Sequence, residues 1–174
     1  MSAPIFEDRD EVLGLFGELD EQLRRIEIDV TLTIVGGIWM LLTGRRAGTR
    51  DIDTITRLPE EAQTAVDLIA ERHGLSRSWL NADAAAWWPA WLRADDCAPA
   101  WTGSNLTVVL PPADAVFVMK LNRASPLDQE DLRSIWPDCT FENAAAAVQA
   151  FEAAYPNEEP DPHLADWLAE LLAR

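Results

Sequence analysis

Apolar residues recur through residues 8–26 at Val12, Phe16, Leu19, Leu23 and Ile26, in steps of four, three, four and three. That spacing predicts one stripe of an amphipathic helix. Residues 29–35 (DVTLTIV) change period: Val30, Leu32 and Ile34 alternate with Asp29, Thr31 and Thr33, which predicts a strand ending at Gly36-Gly37. Residues 38–43 are apolar nearly all round and read as a short buried helix stopped by Gly44. A polar loop, RRAGTR, leads to a second short strand over residues 51–56. Pro59 then opens a helix with Glu60 and Glu61 in its first turn, and Gly74 closes it after His73.

Downstream, residues 76–101 are rich in alanine and tryptophan and broken by Pro89 and Pro99, so short helices and loops are expected there. Residues 105–110 (NLTVVL), ended by two prolines, predict a third strand. Helical patterns follow over residues 114–123, 127–136 and 143–154. After PNEEPDP, a last stripe runs through Leu164, Trp167, Leu168, Leu171 and Leu172. The organisation expected is an α/β core over residues 1–112 with a helical region over 113–174 packed on it.

Composition changes this picture mainly through charge. Hydrophobic residues make up 48% and charged residues 25% of 174, an ordinary folding mixture. No apolar run approaches the ~20 residues that span a bilayer. The amino-terminal stretch lacks a signal pattern, and Cys97 and Cys139 lie far apart without CxxC spacing, so a cytoplasmic protein is expected. The net charge of −16 opposes unaided binding of a long polyanion. The local basic cluster is Arg45, Arg46 and Arg50.

Candidate chemistry centres on Asp51-Ile52-Asp53. On an extended segment the two aspartates leave one face with Cα atoms ~7 Å apart, while Ile52 points to the core. Two such carboxylates suit a hard divalent cation, Mg²⁺ carrying a nucleoside triphosphate. Gly36-Gly37, between a strand and a helix, leaves backbone bare for a phosphate or simply makes a tight turn. Residues 33–55 (TIVGGIWMLLTGRRAGTRDIDTI) resemble the minimal signature of the nucleotidyltransferase superfamily, with Gly36, Gly37, Gly44, Arg46, Thr49, Asp51 and Asp53 at the matching positions. The bacterial nucleotidyltransferase-like and abortive-infection toxin families are similar.

The resemblance implies an α+β fold with a small mixed sheet, flanking helices and a helical carboxy-terminal part. It also implies Mg²⁺ as metal on Asp51 and Asp53, and nucleotide contacts from Gly36, Gly37, Arg46, Thr49 and Arg50. More loosely, it implies a catalytic Lys120 beside Asp51 and Asp53, nucleotide contacts from Arg123 and Asp128, and Asp131 on the same helix as Asp128. The alternative for Lys120 is a side chain that lays its stem on the core and snorkels. Superfamily members commonly carry a third carboxylate on a later strand, and NLTVVL has none; the nearest acids are Asp83, Asp95, Asp96 and Asp114.

The implied activity is transfer of a nucleotide to RNA or protein, as the toxin of a toxin–antitoxin pair. A degenerate fold acting as a binding or neutralising partner is the alternative. A third reading is a homo-oligomer with tryptophans buried between subunits. Trp79, Trp87, Trp88 and Trp91 crowd one segment, as a base-stacking surface or, more simply, as core or interface. His73 and His163 have no partner at metal-ligand spacing.

Overall fold

The structure, a computed structural model, describes residues 6–173. The first five residues of the amino-terminal stretch lie outside them. Among the described residues the chain is α+β, with seven α-helices and one mixed, open five-stranded sheet. It divides into two compact units. One comprises residues up to Ala86 together with Cys97–Leu110, and the other comprises Trp87–Asp96 with the residues from Pro111 onward. The unit that holds the carboxy-terminal helices thus includes residues 87–96 as well.

In the first unit, α1 (Arg9–Arg25) starts at Asp8, whose carboxylate accepts the Asp10 N–H, and has acids in its first turn and arginines in its last. Val12, Leu15, Phe16, Leu19 and Leu23 are its buried face. Ile26, a member of the stripe by spacing, is instead the C-cap and 42% exposed, because the helix ends before it. Then come β1 (Val30–Val35), α2 (Gly36–Leu42), β2 (Ile52–Thr54) and α3 (Glu60–His73). The last is flanked by Pro59 and a left-handed Gly74 as its sequence signals require. α2 starts at the glycines, two residues earlier than its apolar run suggests.

The sheet order is β3-β2-β1-β5-β4, with β3 at Leu80–Asn81, β4 at Ala98–Thr102 and β5 at Leu106–Leu110. β1 pairs parallel with β5 and antiparallel with β2, and β3 is parallel to β2. β2 is shorter than its sequence run because threonine hydroxyls take over the pairing. Thr54 Oγ1 donates to the Thr33 carbonyl, while Thr56 Oγ1 accepts the Thr33 N–H and donates to the Thr31 carbonyl.

Strands β3 and β4 replace part of the helix-and-loop segment expected over residues 76–101. β4 is an edge strand, interrupted by an irregularity between Pro99 and Trp101, which suits a proline that cannot donate to a ladder. The core gathers α1, β1, α2, β2, α3 and β5. Trp79 is fully buried in it, edge-on to Phe6, and its indole N–H donates to the Val66 carbonyl.

The second unit holds α4 (Ala113–Arg123), α5 (Pro126–Ile135), α6 (Ala144–Ala154) and α7 (Leu164–Leu172). Phe117, Trp136 and Phe141 form one aromatic cluster. Residues 87–91 are tied to the end of α6. The Trp91 indole donates to the Ala150 carbonyl, and the Tyr155 hydroxyl donates to the Trp87 carbonyl. Burial pushes the Tyr155 phenol up to about 12, so it remains a donor throughout the physiological range. Among the described residues no helix is long and apolar enough to cross a membrane.

The β4–β5 turn is held by a carboxylate from α1. Asp20 accepts the N–H groups of Ser104, Asn105 and Leu106 at 3.1, 2.7 and 2.7 Å, and it occupies the space where a side chain on Gly103 would stand. Desolvation raises the Asp20 pKa, but the three amides, with Arg24 nearby, outweigh it and hold the carboxyl below its ordinary value. A depressed folded-state pKa stabilises the fold above the unfolded-state value. That contribution is lost as pH falls through the lowered one. Asp20→Ala is expected to cost about 2 kcal/mol or more in urea denaturation at neutral pH. The gap from wild type should narrow once Asp20 is protonated in acid.

Candidate functional site

The turn from β1 into α2 is the part of the chain where bare backbone and polar side chains meet. Val35 is paired with Asp53 across the antiparallel β1–β2 ladder, and Gly36 follows at once with φ +69°. A Cβ on Gly36 would stand 2.5 Å from Asp53 Oδ2. On Gly37 it would stand 2.5 Å from Thr49 Oγ1 and 2.8 Å from an Arg46 terminal nitrogen. At Gly36 the left-handed dihedral and the carboxylate together call for glycine, and at Gly37 a larger residue would have to displace the Thr49 and Arg46 side chains.

Five predicted site residues are therefore assembled at one turn: Gly36, Gly37, Arg46, Thr49 and Asp53. The glycines make room for these side chains as well as leaving backbone bare. The loop that carries Arg46 and Thr49 is anchored by an isolated β-bridge, in which Phe6 and Thr49 exchange backbone hydrogen bonds at 2.8 and 2.9 Å. Thr49 is buried, and its hydroxyl donates to the Asp51 carbonyl at 3.3 Å. Arg45 lies over the Trp39 ring, 5.2 Å from its centroid.

Ile52 is fully buried between half-buried Asp51 and Asp53, the alternation expected of an extended segment. Arg50 is exposed. Asn81, which sequence reasoning missed, pairs with Asp53 in the parallel β2–β3 register, and its Nδ2 donates to Asp53 Oδ1 at 3.2 Å. Its one signal in the sequence was the spacing Asn81-Ala82-Asp83, in which the amide oxygen accepts the N–H two residues on.

Asp53 sets a carboxylate beside a turn without side chains, a hard oxygen donor of the kind that Mg²⁺ takes together with water and phosphate. Among the described residues no three His, Cys, Asp or Glu side chains gather as a metal-binding group.

The downstream residues belong to the second unit. Lys120 is 7% exposed, and its ammonium lies 2.6 Å from Asp131 Oδ2 and 3.4 Å from Asp128 Oδ1. Its head does not snorkel to solvent; it is buried on two carboxylates. Asp128 also closes a capping box at the start of α5, accepting from the Ser125 N–H and hydroxyl. Arg123 reaches the same Asp128 from the surface, its side chain 79% exposed and its Nε 3.6 Å from Oδ2. The tryptophans are divided: Trp79 is core in the first unit, and Trp87 is 50% exposed in the second.

No family model, no curated protein and no solved structure matches this chain.

Two outcomes follow from the geometry. Gly44 also has positive φ, at +75°, but a Cβ there meets nothing within 4 Å. Gly44→Ala is expected to cost about 1–2 kcal/mol for the dihedral alone. Gly36→Ala should cost more, because Asp53 must also move, and equal losses in urea denaturation would refute the close approach. Lys120→Met leaves Asp128 and Asp131 buried without their ammonium, so a loss of about 3–5 kcal/mol is expected. Unchanged stability would show that the ion cluster does not hold α4 to α5.

Proposed function

We propose that the chain is a nucleotidyltransferase-like protein that binds a Mg-nucleoside triphosphate at the Gly36–Asp53 turn and transfers a nucleotide to an RNA or protein acceptor. The observation that carries this reading is the direct apposition of Gly36 with Asp53 and of Gly37 with Arg46 and Thr49. Five of the seven residues that match the family signature, Gly36, Gly37, Arg46, Thr49 and Asp53, are neighbours in space. Asp51 and Asp53 would hold the metal, and Arg46 would meet phosphate. Because α2 has only seven residues, the phosphate contact is assigned to the arginine and the bare turn rather than to a helix terminus. When bound, Mg²⁺ would neutralise charge on the transferring phosphate.

In this reading the protein is the toxin of a toxin–antitoxin pair in the bacterial cytoplasm. A second reading keeps the pocket without transfer, as a binding or neutralising partner of a basic protein. It is favoured by an amide, Asn81, at the sheet position facing Asp53, and by the net charge of −16.

Titration calorimetry with each nucleoside triphosphate and Mg²⁺ is expected to show binding to wild type, weakened by more than about 10-fold in Asp51→Ala/Asp53→Ala. Equal binding by the two proteins would remove the metal assignment. Labelled nucleotide incorporated into a total RNA or protein extract supports transfer. Binding without incorporation, together with co-purification of a basic protein, supports the second reading.

A further inference from the structure

Val30, Leu32 and Ile34 of β1, Ile52 of β2, and Leu106 and Val108 of β5 all face the core of the first unit. Alternation therefore puts Thr31 and Thr33 of β1, with Thr107 and Val109 of β5, on the opposite face of the sheet, together with Asp53. Register sets them side by side: Thr31 is paired with Thr107, and Thr33 with Val109. Thr102 of β4 extends the first row through its own pairing with Thr107. Thr31 and Thr102 are exposed, while Thr33, Thr107 and Val109 are half-buried. The hydroxyls of Thr31, Thr33 and Thr107 have no hydrogen-bond partner among the described residues.

We propose that Thr31, Thr33 and Thr107 are specificity-determining residues that hold the sugar and base of a single nucleotide on this face. The proposal rests on the reading of the Gly36–Asp53 turn as a Mg-nucleotide pocket. Val35 stands opposite Asp53 at that turn. Counted back along β1 from Val35, Thr33 lies ~7 Å away and Thr31 ~13 Å away. A nucleoside follows its polyphosphate over such a span. The chemistry changes along the same line. Bare backbone at the turn suits phosphate oxygens, whereas a hydroxyl that both donates and accepts suits sugar hydroxyls and base edges. Val109 beside Thr33 adds an apolar surface for a ring. Neither β1 nor β5 carries a lysine or arginine to meet a further phosphate, so one nucleotide fits this face better than a run of them.

Mg-tripolyphosphate and each Mg-nucleoside triphosphate are titrated into the full chain by calorimetry, with circular dichroism and melting curves as the folding control. Wild type is expected to bind a nucleoside triphosphate about 10-fold or more tightly than tripolyphosphate. Thr33→Val removes a hydroxyl at similar shape and strand preference, and should weaken nucleotide binding about 5-fold. Thr31→Val/Thr33→Val/Thr107→Val should bring nucleotide binding down to the level of tripolyphosphate. Tripolyphosphate binding should stay unchanged in both variants.

If the triple variant does not fold, Thr33→Val carries the test. Equal wild-type affinity for tripolyphosphate and nucleotide, or nucleotide binding unchanged in the folded variants, would overturn the role of the threonines and leave the pocket standing. A loss shared equally by tripolyphosphate would assign the hydroxyls to phosphate and overturn that role too. Binding of neither ligand by wild type would remove the pocket and the role of the threonines together.

Discussion

The first unit depends on strand β1 being paired on both sides and then turning at once without side chains. Val30–Thr33 register with β5, and Ile34 and Val35 with β2. The strand's buried positions, Val30, Leu32 and Ile34, fix which face meets the core, and a slip of one residue would turn them to the opposite face. The same register sets Val35 opposite Asp53. The next residue in the chain then falls against that carboxylate, and only a residue with no Cβ and a left-handed backbone can stand there. Core packing and the polar site are thus consequences of one alignment.

The second unit handles charge in a different way. An ammonium and two carboxylates are taken out of water together at Lys120, Asp128 and Asp131. Desolvating such groups costs several kcal/mol per ion, and close contacts with further hydrogen bonds from Ser125 offset that cost. The cluster joins α4 to α5 through specific partners as well as apolar area. This gives Lys120 two carboxylate partners inside its own unit.

The sequence made the regular elements legible where a period could express itself. α1 and α3 carry apolar stripes, caps and dipole-matched charges, and the alternation of β1 survives intact. β3 is two residues long, a single period of a strand, so no alternation could repeat and Leu80-Asn81 could not be told from a loop. β4 carries Pro99 and a mostly exposed pattern, which reads as an interruption rather than an edge.

At the site, the spacing of Gly36, Gly37, Arg46, Thr49 and Asp53 anticipated their meeting. Asn81 was invisible because its partner, Asp53, is 28 residues away in the chain. Lys120 was placed on the right helix, but its burial is set by acids eight and eleven residues further on, which a helical wheel of α4 does not contain. The clamp of Asp20 on the β4–β5 turn had no local signature either, since it spans 84 to 86 residues.

Charge bears on what the proposed pocket would accept. A triphosphate approaching a protein of net −16 meets an unfavourable field at long range, and residues 134–173 contribute eight acids with no lysine or arginine. Short-range compensation comes from Arg46 beside Gly37, and Arg45 in the same loop lies over Trp39. Prior chelation by a divalent cation lowers the charge that the nucleotide brings, which eases entry into such a field. A long RNA presents many more phosphates to the same field, and its affinity would depend on releasing counterions at clustered basic groups. Of the two acceptor classes, a protein with a basic surface is therefore the better electrostatic match. The same acidity that disfavours RNA would draw that protein in.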